Sequence, residues 1–122
     1  GLFCSTPMVA LSRNVSRKHA MEMLLLGEAL SAETAVVHGL INRAVPGYKV
    51  VPEALAMART IAAKSKSTVA IGKEAFYRQI EMPLAEAYDY ACGVMVKNMM
   101  SADAEEGICA FLEKRPPTWK DD

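Results

Sequence analysis

A serine or a proline stands at the head of nearly every apolar stripe in this chain, and that punctuation leaves room for little besides helices. Ser16 precedes Arg17–Leu26, Ser31 precedes Ala32–His38, and Ser101 precedes the last stripe. A serine hydroxyl in that position accepts a backbone N–H that the first helical turn cannot pair. Pro52 and Pro83 open two further stripes, at a position where the missing N–H of proline costs nothing. Gly27 and Gly39 then serve as stops, and Glu33 lies in a first turn, where the helix dipole favours an anion.

Spacing of three and four residues assigns the inward sets. They are Ala20, Met23 and Leu24; then Leu55, Ala58, Ile61 and Ala62; then Val69, Phe76 and Ile80 in a helix over Thr68–Ile80. A long helix from Pro83 to about Met100 carries Leu84, Ala87, Tyr88, Ala91, Met95, Asn98 and Met99. The last helix turns Ala104, Ile108, Phe111 and Leu112 inward. Lys64–Ser67 reads as a break, Gly1–Asn14 with its Pro7 as a loop or strand end, and Leu40–Val45 as a short extended segment ending at Pro46. The tail from Pro116 cannot continue a helix. The expected fold class is mainly α. The methionines of the long stripe suit a core or a subunit interface, because Met packs adaptably.

Composition removes several function classes. With 14 basic and 14 acidic side chains, the formal net charge is zero. A general nucleic-acid binder needs a surplus of cations, so none is expected. No apolar run approaches the roughly 20 residues of a membrane span. Cys4, Cys92 and Cys109 are odd in number and far apart, which suits reduced thiols in a cytosolic or organellar matrix compartment better than a disulfide framework. The chain starts at Gly1 without a leader-like segment, and the helices expected here read as part of something larger.

Catalytic constellations are sparse. His19 and His38 are the only histidines and have no spaced carboxylate partner; a Cys4/His19 nucleophile pair is the one arrangement to weigh. No cluster has metal-ligand spacing, and the scattered glycines form no phosphate loop. Glu105 and Glu106 are adjacent, so in a helix they diverge by about 100° and cannot converge on one substrate atom; they read as a solvated first turn. Phe111 and Lys114 lie three apart on one helical face. An aromatic and a cation so placed can pack on an apolar chain or ring and meet a phosphate.

Three segments carry a resemblance. Ala20-Met21-Glu22-Met23-Leu24-Leu25-Leu26-Gly27-Glu28 is followed by Leu30-Ser31-Ala32-Glu33-Thr34-Ala35 and by Gly39-Leu40-Ile41-Asn42-Arg43-Ala44-Val45-Pro46. The ending Glu106-Gly107-Ile108-Cys109-Ala110-Phe111-Leu112-Glu113-Lys114-Arg115 completes the pattern. Together these resemble the crotonase (enoyl-CoA hydratase/isomerase) family over essentially the whole chain. The opening Gly1–Pro7 and the stretch Gly72–Tyr77 are closest to one branch of it.

The resemblance implies the C-terminal helical region of an α/β crotonase spiral fold. Residues 1–50 would be the end of the crotonase core and 51–122 a helical oligomerisation region, in a trimer or dimer of trimers. It implies acyl-CoA or enoyl-CoA as partner, with coenzyme A as part of the substrate and no separate cofactor or metal. Hydration of a 2-enoyl-CoA in fatty acid metabolism would follow, in the mitochondrial matrix of a eukaryote or the cytoplasm of a bacterium. The family's oxyanion-hole N–H groups and paired glutamates align before Gly1, so no catalytic residue is carried over. Phe111 and Lys114 match last-helix positions that reach the coenzyme A site. Ser5–Arg13 departs from the family's glycine-rich loop, so the geometry of that loop is not carried over either. Two alternatives stay open: a stand-alone helical interaction module, and a crotonase relative that binds acyl-CoA without hydrating it.

Overall fold

The computed structural model describes residues 1–120, and among them there are helices and no strand. α1 spans Pro7–Asn14, α2 Arg17–Leu26, α3 Ala32–Val37, α4 Val50–Ala62, α5 Lys66–Gln79, α6 Leu84–Met99 and α7 Ala102–Glu113; a 3-10 turn at Gly47–Lys49 leads into α4. Contacts divide the chain into two compact units, Gly1–Val50 and Val51–Asp122. In the first, α1 packs on α2; in the second, α5 packs on α6 and α6 on α7. No described helix is long and apolar enough to cross a membrane.

The serine caps form as their chemistry requires. Ser16, Ser31 and Ser101 each accept the N–H three residues on, from His19, Thr34 and Ala104. Gly27 and Gly39 adopt φ of 64° and 76°, a conformation that costs glycine little and other residues more. Ser65, read from sequence as part of a break, is a fourth such cap. It is buried, accepts from Thr68 N–H at 3.1 Å and donates to the Thr68 hydroxyl, which in turn donates to Asn98 Oδ1 at 3.3 Å. That relay ties the start of α5 to α6.

Three expectations fail. Gly1–Asn14 is not all loop, because Pro7 begins α1 instead of preventing it; a helix's first turn has no partner for the N–H that proline lacks. Leu40–Val45 forms no strand: the N–H groups of Leu40 and Ile41 are spent on the carbonyl of Ala35, closing α3. α4 starts at Val50, so Pro52 is its third residue.

The inward sets are the larger correction. Among the described residues, only Val15, Ala20, Ala35, Ala87 and Ala110 are buried apolar ones, and no large side chain is fully buried. Leu55, Ile61, Phe76, Ile80, Leu84, Tyr88, Met95, Met99, Ile108, Phe111 and Leu112 are all exposed. Their stripes exist, but the described residues leave these side chains largely uncovered.

Candidate functional site

The chemistry of this chain gathers at α7 and the segment after it. Ser101 caps α7, and Asp103 and Glu105 occupy its first turn, where anions face the positive end of the dipole. Asp103 is only 3% exposed and accepts the backbone N–H of Lys120 at 2.7 Å. Glu105 and Glu106 diverge as adjacent helical residues must, but Glu106 is not simply solvated. Its Oε1 accepts from Arg115 Nη1 at 2.6 Å and from Thr118 N–H at 2.7 Å, and its Oε2 accepts from Arg115 Nη2 at 3.0 Å. Arg115 Nε also donates to Glu113 at 2.5 Å. The same guanidinium thus bridges two carboxylates with a paired geometry that lysine could not reproduce.

The hydrogen bonds from Arg115 and Thr118 pull the Glu106 carboxyl from 4.5 down to about 2. Those to Glu106 and Glu113 push the Arg115 guanidinium further up. A carboxyl whose folded pKa is depressed stabilises the fold above its unfolded pKa and loses that contribution as pH falls through the folded value. The ion pair should therefore stay closed through pH 4.5 and open only as pH approaches 2. Trp119 is the chain's single tryptophan and sits on the same tail, so its fluorescence is the readout. In the full-length protein, with any other tryptophan replaced by phenylalanine, a transition centred near 4.5 would contradict the assignment.

Past Pro116 and Pro117 the tail returns to the helices. Trp119 Nε1 donates to the carbonyl of Ala63 at 2.9 Å, just beyond α4. Its ring lies so near Gly107 that a Cβ there would meet it at 3.4 Å. The segment after the family-like ending is thus a tail clasped on α7.

The two expected binding residues stand beside this clasp. Phe111 is 82% exposed and Lys114 is exposed. Lys114 is not helical, however. It caps α7 at φ 55°, and it is the only non-glycine with positive φ among the described residues. Its N–H donates to Phe111 O and that of Arg115 to Ala110 O, a Schellman closure whose left-handed position glycine usually fills. A side chain there costs about 1–2 kcal/mol. The helical spacing of Phe111 and Lys114 therefore does not by itself place them on one face.

The remaining candidates behave differently. His19 does not pair with Cys4; it stacks on His38, with ring centroids 3.7 Å apart and planes 13° apart, and His38 Nδ1 is buried without a partner. Cys4, Cys92 and Cys109 are free and exposed. No group of three or more metal-ligating side chains occurs among the described residues. A groove of about 360 Å³ between α5 and α6 is lined by Ile71, Tyr90, Val94 and Lys97, with the Glu74–Arg78 ion pair (3.2 Å) at its side; neither Phe111 nor Lys114 lines it.

Residues 3–122 match the sequence model of the enoyl-CoA hydratase/isomerase family. The chain belongs to that family. It is 50% identical over 119 residues to the rat mitochondrial enoyl-CoA hydratase domain-containing protein 3, covering 98% of this chain and 40% of that protein. It is 37% identical over 111 residues to the mitochondrial enoyl-CoA hydratase of Pongo abelii, covering 91% of this chain and 38% of that protein. Among solved structures, an enoyl-CoA hydratase of Mycobacterium smegmatis superposes with a TM-score of 0.94 at 54% identity, covering 98% of this chain and 46% of the other. Human enoyl-CoA hydratase domain-containing protein 3 superposes with a TM-score of 0.92 at 48% identity, covering 98% and 47%. The branch suggested by the opening segment and by Gly72–Tyr77 is thereby supported. The chain spans about two fifths of the length of the curated relatives it matches.

Sequence reasoning missed Arg115 and Trp119 as tail anchors. The nine-residue separation of Glu106 and Arg115 suggests nothing by helical spacing, because the left-handed turn at Lys114 intervenes. The one available hint was a tryptophan stranded in a polar, proline-containing tail.

Proposed function

We propose that this chain is the C-terminal helical region of an α/β crotonase spiral that hydrates 2-enoyl-CoA, and that its own part is ligand anchoring and subunit assembly. The observation that carries the reading is the family match running from residue 3 to residue 122. The exposed end of α7 supports the anchoring half. Phe111 offers an apolar face, and the exposed Lys114 offers a cation for a coenzyme A phosphate. The open stripes of α5 and α6, including Phe76, Met95 and Met99, support assembly as a homotrimer or a dimer of trimers. Coenzyme A enters as part of the substrate, with no separate cofactor. Relatives with "mitochondrial" in their names favour the matrix for a eukaryotic bearer, and the cytoplasm is the corresponding place in a bacterium.

The test uses the full-length protein and crotonyl-CoA. Hydration removes the double bond conjugated to the thioester, so absorbance falls. Lys114→Ala should weaken acetyl-CoA binding about fivefold to tenfold at low salt, the scale of one charge-assisted contact, and the deficit should shrink as salt screens the charge. Binding that is unchanged at every salt concentration would remove Lys114 from the site. Acyl-CoA binding with no loss of crotonyl-CoA would favour a non-hydrating relative.

A further inference from the structure

Lys114 holds a backbone conformation that glycine would hold more cheaply, and the groups that enforce it are on either side. Immediately after it, Arg115 turns back onto Glu106 and Glu113. Four and five residues on, Thr118 N–H reaches Glu106 and Trp119 reaches Ala63 O. Lys120 N–H ends the return at the buried Asp103. Six hydrogen bonds to three carboxylates and one carbonyl thus come after the single strained residue. Strain that the surroundings over-determine is a pointer to function.

We propose that Glu106, Arg115 and Trp119 are positioning residues for the coenzyme A moiety: by clasping the tail on α7 and on the end of α4, they hold the left-handed turn that presents Lys114 at the C-terminal end of α7. This rests on the reading of Lys114 and Phe111 as ligand contacts. The clasp touches no ligand. It acts through the backbone at Lys114, so its removal should change ligand affinity and leave the chemical step alone.

A double-mutant cycle in the full-length protein tests this, with acetyl-CoA as the probe for Kd and crotonyl-CoA for turnover. Glu106→Gln should raise Kd about threefold to tenfold, a coupling of the size neighbouring groups show. KM should rise with it while kcat holds. In a Lys114→Ala background the same substitution should do nothing further, because the group it positions is gone. Trp119→Phe keeps an aromatic ring but removes the hydrogen bond to Ala63 and the indole edge that faces Gly107; it should repeat the pattern, and it replaces Glu106→Gln in the cycle if that variant does not fold. An unchanged Kd in the clasp variants, with Lys114→Ala still impaired, overturns the positioning role and leaves Lys114 as a contact. Full additivity overturns it too, since a purely structural clasp weakens both backgrounds alike. A Lys114→Ala variant with native affinity removes both ideas at once.

Discussion

Produced by itself, the 122-residue chain is expected to self-associate and to bind a hydrophobic dye, with no cooperative melting transition of its own. The reason is its core. Among the described residues the buried apolar ones are one valine and four alanines, and burial stabilises by only about 25 cal/mol per Å² of apolar surface. Against that stands the backbone entropy of ordering each residue, about 1–2 kcal/mol. Meanwhile Leu25, Leu26, Val51, Leu84, Val96, Met100 and Leu112 are each at least 60% exposed. Exposed apolar side chains in such number favour interaction with another surface or self-association. Analytical ultracentrifugation with calorimetry checks the expectation. A monodisperse monomer with a sharp, calorimetrically two-state melt would refute it and would favour a stand-alone helical module.

In the full-length protein, Trp119→Ala should be the most damaging single change in the tail, lowering stability by about 2–3 kcal/mol. A fully buried Trp→Ala change costs roughly 3–5 kcal/mol, and Trp119 is half-buried, so a value below that range applies. Three losses add. The Ala63 carbonyl loses its partner, the face of Gly107 is bared, and the tail loses its anchor on the end of α4. The measurement is the denaturant midpoint together with limited proteolysis after Lys114 and Lys120, since Pro116 protects the bond after Arg115. Cleavage there should speed up well before the global transition. Trp119→Phe should recover only part of the stability, because a phenyl ring keeps apolar bulk on the tail but lacks the distal indole atoms, Cζ3 and Cη2, that face Gly107. An alanine variant with a native midpoint and a protease-resistant tail would show that the tail contributes nothing to the fold.

These expectations divide according to what a residue needs in order to act. The caps at Ser16, Ser31 and Ser101 and the left-handed stops at Gly27 and Gly39 were legible in the chain because each depends on groups close to it in sequence. The apolar stripes were legible as patterns for the same reason: helical spacing is local. Pro7 was not, because proline both breaks and begins helices, and the residues after it decide between the two. The family was legible because its motifs run in order from Ala20 to Arg115, and the matching relatives bear this out.

The surroundings of an apolar stripe are a different kind of fact. Leu55, Phe76, Tyr88 and Phe111 carry helical spacing whether or not a partner lies opposite, so only the folded chain shows that these faces stand open. The same holds for the groups brought together from afar. His19 meets His38 because the chain turns back between α2 and the end of α3, and Arg115 meets Glu106 because the chain reverses at Lys114. Trp119 reaches Ala63 across 56 residues of sequence. Local hydrogen-bonding chemistry was enough to specify helices, caps and stops. The clasp, the strain at Lys114 and the open faces arise from contacts between distant residues, and those exist only once the chain has closed on itself.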